Sequence, residues 1–582
     1  MTISYEKLLG YKDVYGKYSM SPKNVLARRV GRKAILDTSA LLLTYCRKGT
    51  HISLPNIIKM FFSYGGQFDI HGYHLVMQRI HTIVREAHGM PLYVLCEEAL
   101  LDLYTWAAES TDMPEDGNGL GDENSTDLLK LVLLSNDKVL ERYSKAQKSV
   151  RLQNDRRLLR QLLAERFPQT DLVEIDYGKL LYSQVYKLMQ LLNFLETTPA
   201  YEKLFNRLLQ DFDVKNKEEF FKALGGAVFT ALNLNKTGIN YLVVEKTPEA
   251  IKNFEFLDRL AHSTTEVEQG PADYIFLRDR PLQKMDDLSY QIVFDFFLIK
   301  KMYNGLMFKL SGYCNDDKTL LNAPFFGMIR DEFIEGILVY DTMNAVVSVS
   351  KTVVVTGNEF KAAKVGREPD FYCRHNDKIL LIESKDFFIT GEEKRSYDFN
   401  IIMNGLSRDG RLQKATLQLA TNVMRTLQQK LLLDTAYIPT KVDIYPAVIV
   451  HDSLYNCTAL NYWTNEWFQD ELKKIKAEPE FAGVDITKVR PVTLIDIDTL
   501  ILYRSHFESG TLNLYDIIEE YQKYVDFKSA SDTNHQRAII PFSEFAADYI
   551  KQKGLKPDIK LLSDTYGLSG FIDDEELIFE TT

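Results

Sequence analysis

Cysteine is scarce: Cys46, Cys96, Cys314, Cys373 and Cys457 are scattered over 582 positions, and no Cys-x-x-Cys pair occurs. This excludes a cysteine-built zinc site and a disulfide framework, and it predicts free thiols in a reducing, cytoplasmic compartment. No apolar run approaches the roughly 20 residues that cross a bilayer. The N-terminus also lacks the charged-then-apolar pattern of a leader peptide, so no membrane association is expected. An excess of positive charge is missing too. The net charge is -11, which does not favour a general nucleic-acid coat protein, because such proteins are basic overall. It does not exclude an acidic protein with a local basic groove. No internal repeat period is evident.

What is present is core-building material: 45% apolar and 12% aromatic residues, with 33 Phe and 32 Tyr. The length predicts two to four domains. Residues 1–235 read as a mainly α-helical N-terminal region suited to substrate or partner recognition. Residues 236–325 read as an α/β connecting region, 326–530 as a mixed α/β domain, and 531–582 as a C-terminal extension ending in the acidic run Asp573-Asp574-Glu575-Glu576. Short strands are expected at 240–245 and 274–278, and a long helix at 286–309.

Several features of the N-terminal half invite chemistry and have simpler readings. Residues 1–33 carry a local charge of +6 with interleaved tyrosines, read as a solvated arm with nucleic-acid contact as the alternative. His71, His74, His81 and His88 fall near one helix face, but a spacing of seven residues is about 10 Å, too far for His74 and His81 to share an ion. Residues 114–127 form an acidic, glycine-rich connector, in which Leu120 stands where a calcium loop needs an oxygen ligand. Segment 149–166 reads as a basic amphipathic helix with a solvated face. Ile35-Leu36-Asp37-Thr38-Ser39 resembles the opening of PIN-type nucleases, whose strand-end Asp binds metal. Later acidic positions at matching spacing are absent, and Asp37-Thr38-Ser39 is read instead as a helix N-cap before an apolar run.

The chemistry concentrates at residues 366–386. Two strands, 369–374 and 378–385, are joined by a polar turn. Asp370 starts the first, and Glu383 ends the second. Side chains alternate along a strand, so Glu383 and Lys385 share a face. Two carboxylates and an ammonium at one sheet edge suit a divalent cation and a phosphate. Around this stretch the pattern gives a helix at 327–340 bearing Glu332 and Glu335, a β-branched strand at 345–356 and an amphipathic helix at 409–431. A strand at 442–450 follows, and its Pro446 predicts an edge or bulged position. Beyond it an aromatic helix starts near Tyr462, with strand-like 491–502 and helix 512–525. Asp386 reads as a strand-end cap and His375 as a turn residue.

The order helix, three strands, helix, strand, with Pro369-Asp370 and Glu383-Ser384-Lys385, resembles the PD-(D/E)xK nuclease superfamily over residues 326–450. The resemblance implies a restriction-endonuclease-like αβββαβ core and an Mg²⁺- or Mn²⁺-dependent nuclease, with DNA favoured over RNA and endonucleolytic action favoured. It implies metal ligation by Asp370, Glu383, the Ser384 carbonyl and Glu335, with Glu332 the alternative to Glu335. Lys385 would orient water or neutralise charge, and Gln413 or Lys414 would steady the phosphate. By analogy alone, bacterial antiviral defence or a mobile-element system is the expected setting, with a homo-oligomer or a protein partner compatible. The competing reading is a non-catalytic nucleic-acid-binding or assembly protein that retains the fold.

Overall fold

The computed structural model describes residues 7–16, 23–46, 53–63, 68–86, 90–117, 122–151, 156–173, 176–236, 238–245, 247, 251–263, 273–408, 410–527 and 537–557. The acidic run at 573–576, His88 and part of the 114–127 connector lie outside the described residues. The fold is mixed α/β and mainly helical. Contacts divide it into two compact units, Met1–Lys145 with Arg207–Met307, and Ala146–Asn206 with Phe308–Phe579. Residues 146–206 thus pack with the C-terminal half of the chain.

The first unit combines helices with a four-stranded sheet, in the order Tyr241–Val243, Ser289–Ile292, Leu282–Lys284, Ala261–His262. Three sequence expectations change here. Asp37 lies in the interior of helix Arg32–Tyr45, so it ends no strand and caps no helix; Gly31 holds the N-cap. Residues 275–279 form a short helix where a strand is expected, since a run of five apolar-rich residues carries no decisive period. The expected helix at 286–309 begins only at Asp295. Before it, the Leu288 N–H donates to Asp286 (2.7 Å), a turn between strands Leu282–Lys284 and Ser289–Ile292. His71, His74 and His81 are exposed on helix Ile70–Glu86.

The second unit is built on a five-stranded sheet. Helix α1 spans Tyr177–Thr197. A continuous helical run, α2, joins Phe325–Ile329, Arg330–Val339 and Tyr340–Val346. Then come β1 (Val353–Thr356), α3 (Gly357–Ala362), β2 (Phe371–His375) and β3 (Lys378–Lys385). The chain continues through α4 (Leu412–Leu427), β4 (Asp443–Val450), α5 (Leu460–Lys476), β5 (Thr493–Asp496) and α6 (Leu514–Val525). The sheet order is β5-β4-β3-β2-β1. β1, β2 and β3 form an antiparallel meander, while β3, β4 and β5 are parallel, so α4 lies on the crossover from β3 to β4.

Two readings in this unit need correction. The expected strand at 345–356 shrinks to Val353–Thr356. Val346 and Val347 are fully buried at the C-terminal end of α2, where packing overrides β propensity. Pro446 sits in a strand paired on both sides, neither edge nor bulge. On the β5 side, Ile444 bridges Val489 and the ladder resumes at Ala447 with Thr493, so the proline falls in the gap where no N–H is used. The basic helix is Arg157–Arg166, and its flanking Arg156 and its Arg160 are half-buried rather than fully solvated. Arg160 stacks on Phe399 (4.9 Å) and Trp463 (4.8 Å), and Arg156 pairs with Glu466. Strand-like 491–502 divides into β5 and helix Ile497–Leu502.

Candidate active site

The site forms where β2 begins and β3 ends. Antiparallel pairing of Phe371 with Ile382 brings Asp370 beside residue 384. The Asp370 N–H donates to the Ile382 carbonyl (3.1 Å), and the Ser384 N–H donates to the Asp370 carboxylate (2.7 Å). The carbonyl of a strand residue points to the same side as its N–H, so the Ser384 carbonyl faces the Asp370 side where β2 has ended. Glu383 and Lys385 project from the other side of the pleat to Ser384. The Lys385 ammonium lies 3.3 Å from Glu383 and 4.0 Å from Asp370. Asn422 on α4 donates to the second oxygen of Glu383 (3.3 Å).

Burial dominates the electrostatics. It raises the Asp370 carboxyl to about 6; Lys385 opposes the shift and Glu335 adds to it. Burial also holds Glu383 well above the usual carboxylate range, with Asp370 adding to it and Lys385 opposing. Glu335 lies close enough for its charge to act on both. Its carboxylate accepts from Tyr340 (2.9 Å) and Lys361 (3.3 Å). Burial pulls Lys361 down, but the Glu335, Asp370 and Asp331 carboxylates together hold it above its ordinary value.

The helix that carries Glu335 widens to a π-helical pitch over Arg330–Val339, a feature frequent at functional sites. Gly336 permits it, because a Cβ there would meet the Asp331 carbonyl at 3.1 Å. Gly357, at the start of α3, lets two backbones touch: its N–H donates to the Asp370 carbonyl at 2.8 Å. A Cβ there would stand 3.0 Å from the Tyr340 hydroxyl. Glu332 goes elsewhere: it is exposed, and its charge acts on Tyr201.

No family model, curated protein or solved structure matches the chain. The structure brings Asp370, Glu383, Ser384, Lys385 and Glu335 together. It does not bring in Gln413. That residue is nine positions from Asn422, half a turn out of phase at 100° per residue, and so on the opposite face of α4. Lys414 is exposed at the far end of the same helix. The residues that face the site from α4 are Asn422 and, one turn earlier, Gln418, whose buried Oε1 lacks a protein partner. Sequence reasoning missed them, as it missed Lys361 and Tyr340. A polar Asn at helical spacing among Leu419, Val423 and Thr426 is the sequence signal that could have found Asn422.

Asn422 and Gln418 also line a cleft of about 880 Å³. Its lining includes loop residues Gly366, Arg367 and Glu368 just before Asp370, together with Lys414, Lys430 and Phe481. The loop is clamped by Arg425, which donates to the carbonyls of Gly366 (2.7 Å), Arg367 (2.6 Å) and Val365 (3.1 Å). Arg425→Ala is expected to cost about 2 kcal/mol. Amide exchange should rise across 364–370 and stay unchanged within β3. Unaltered exchange in that loop would show that the clamp is dispensable.

On the opposite face of the sheet, the Ser384 hydroxyl bonds His451 Nε2 (2.8 Å), and Lys187 pairs with Asp498 (2.5 Å) and donates to the His451 carbonyl (3.1 Å). Burial, and then the Lys187 and Arg330 charges, push His451 down to about 3, so it is neutral. This contact fixes the end of β3 from behind. Among the described residues, no three His, Cys, Asp or Glu side chains form a metal-holding group, and no helix is long and apolar enough to cross a membrane.

Proposed function

We propose that the chain is a metal-dependent nuclease that hydrolyses phosphodiester bonds, DNA favoured, on a restriction-endonuclease-like core. One observation carries the reading. Asp370, Glu383 and Lys385 meet at the end of a buried strand pair, in a meander followed by a helical crossover to a parallel strand. Two buried carboxylates with raised proton affinity are a pair in want of a cation.

The donor set fits Mg²⁺ or Mn²⁺. Hard oxygen ligands suit these ions, and Mg²⁺ is commonly held by one or two carboxylates, with water and substrate oxygens completing the shell. Asp370, Glu383 and the Ser384 carbonyl would hold it. Glu335, engaged by Tyr340 and Lys361, supports them from one shell out. A bound ion supplies a water of lowered pKa and charge stabilisation on the phosphate. The remaining work falls to the protein. Lys385 would orient the attacking water or neutralise charge developing on the phosphate. Asn422 orients Glu383, and the Ser384 N–H orients Asp370. Arg367, Lys414 and Lys430 in the cleft suit the flanking phosphates.

Incubation with linear duplex DNA, single-stranded DNA and RNA, in Mg²⁺, Mn²⁺ or EDTA, tests this. Cleavage in either metal, lost in EDTA and in Lys385→Ala, is the expected result. Equal cutting by Lys385→Ala and the parent sinks the site assignment. Binding without cleavage under every condition favours the non-catalytic reading.

A further inference from the structure

We infer that a cluster of phenylalanines beside this site is a stacking platform for unpaired nucleobases. Three elements contribute: Phe308 from helix Leu306–Asp316, Phe326 from the first turn of α2, and Phe388 three residues beyond Lys385. Their ring centroids lie 4.9 Å (Phe308–Phe388), 5.1 Å (Phe326–Phe388) and 5.6 Å (Phe308–Phe326) apart. Yet Phe308 is 53% and Phe388 36% exposed. Aromatic rings brought together from distant positions and left open to water mark a contact surface.

The chemistry of the patch selects its occupant. The Arg330 guanidinium stands 5.5 Å from the rings of Phe326 and of Phe388, and Asp386 anchors it at 3.1 Å. The rings meet at 43° to 72°, so the surface is not flat; the exposed faces of Phe308 and Phe388, beside a fixed, planar cation, each offer a pre-organised stacking face for a π-faced ligand of any base identity. Paired bases inside a duplex do not present their faces, so the ligand is an unpaired stretch of nucleic acid. Continuity with the site supports the same occupant. Phe388 follows Lys385 by three residues, so their Cα atoms lie within about 11 Å, or about three base steps at 3.4 Å per step. A strand with its phosphate beside Lys385 would reach the platform with a neighbouring base. The placement of the phosphate rests on the nuclease reading; the stacking surface does not.

The test is fluorescence anisotropy in EDTA, where no cutting interferes, with a labelled oligothymidine and a blunt duplex as probes. The Phe308→Ala/Phe388→Ala double variant is expected to lose about 10- to 100-fold in single-strand affinity, at 1–3 kcal/mol per stacked base, with duplex affinity unchanged. Phe388→Trp is expected to retain the parent affinity. Unchanged single-strand binding in the double variant overturns the inference. So does equal loss on both probes, or a parent dimer in sedimentation that the double variant abolishes, which would make the patch a self-association surface. Cleavage assays on the same proteins separate the two readings. Ring-dependent single-strand binding without any cleavage leaves the platform standing and removes the nuclease. Metal-dependent cleavage with ring-independent binding does the reverse.

Discussion

Asp370→Asn is expected to abolish cleavage, by roughly 10³-fold or more, while making the metal-free protein more stable at neutral pH. On the nuclease reading, the loss follows from removing the charged oxygen that would hold the metal and that the Ser384 N–H meets at 2.7 Å. The gain follows from burial. The folded-state pKa of Asp370 is raised to about 6, so the folded protein holds this proton more tightly than the unfolded chain. Its contribution to stability is complete below the unfolded value, near 4, and is lost as pH rises through about 6. At pH 8 the buried charge costs at most about 3 kcal/mol. Asparagine keeps the shape and the acceptor for the Ser384 N–H but cannot ionise. In EDTA, urea denaturation followed through Trp463 and Trp467 should therefore show the variant ahead of its parent at pH 8 and level with it at pH 4. A variant less stable than the parent at pH 8 would mean that attraction to Lys385 outweighs burial. Functional sites commonly carry such a stability deficit, and here Asp370 and Glu383 would share it.

The strands at the centre of the site were legible in the sequence because their signals were local. Ile379-Leu380-Leu381-Ile382 is an apolar run that ends on Glu383, and Pro369-Asp370 marks the start of its partner. Chance alone gives an Asp followed by Glu-x-Lys about once in a chain this long, so the flanking elements were needed to give the pattern weight. What failed was non-local. Gln413 is expected at the site from its place along the chain, whereas α4 turns Gln418 and Asn422 inward. Lys361 joins Glu335 across 26 residues, and no spacing rule encodes that meeting. The arginines at 156 and 160 read as a solvated basic face because a one-dimensional pattern does not show Phe399, Tyr462 and Trp463 beneath them. Val346 and Val347 read as strand because β-branching is a local preference that helix-end burial overrides.

The largest loss of stability is expected from Asp434→Ala, about 3–5 kcal/mol. Asp434 accepts from Arg374 Nε (2.6 Å) and a second guanidinium nitrogen (3.1 Å), and from the Tyr372 hydroxyl (2.7 Å). Both charged side chains are nearly inaccessible, at 9% for Arg374 and 4% for Asp434. Arg374 and Tyr372 lie on β2, which Asp370 immediately precedes, so the network ties the site strand to the chain that follows α4. Burial raises the Asp434 carboxyl, but the hydrogen bonds from Arg374, Tyr372 and the Ala436 N–H outweigh it and hold it below its ordinary value. The sign is opposite to that of Asp370. The stabilisation is full above the unfolded carboxylate range and is lost as pH falls through the lower, folded value. Alanine strands a buried guanidinium, whereas replacing both partners removes the charge that would be stranded. Asp434→Leu with Arg374→Met should therefore recover much of the loss in a denaturation series at pH 7. If the double variant is as unstable as Asp434→Ala alone, the network supports β2 through its hydrogen-bond geometry, and the buried charge is not the cause.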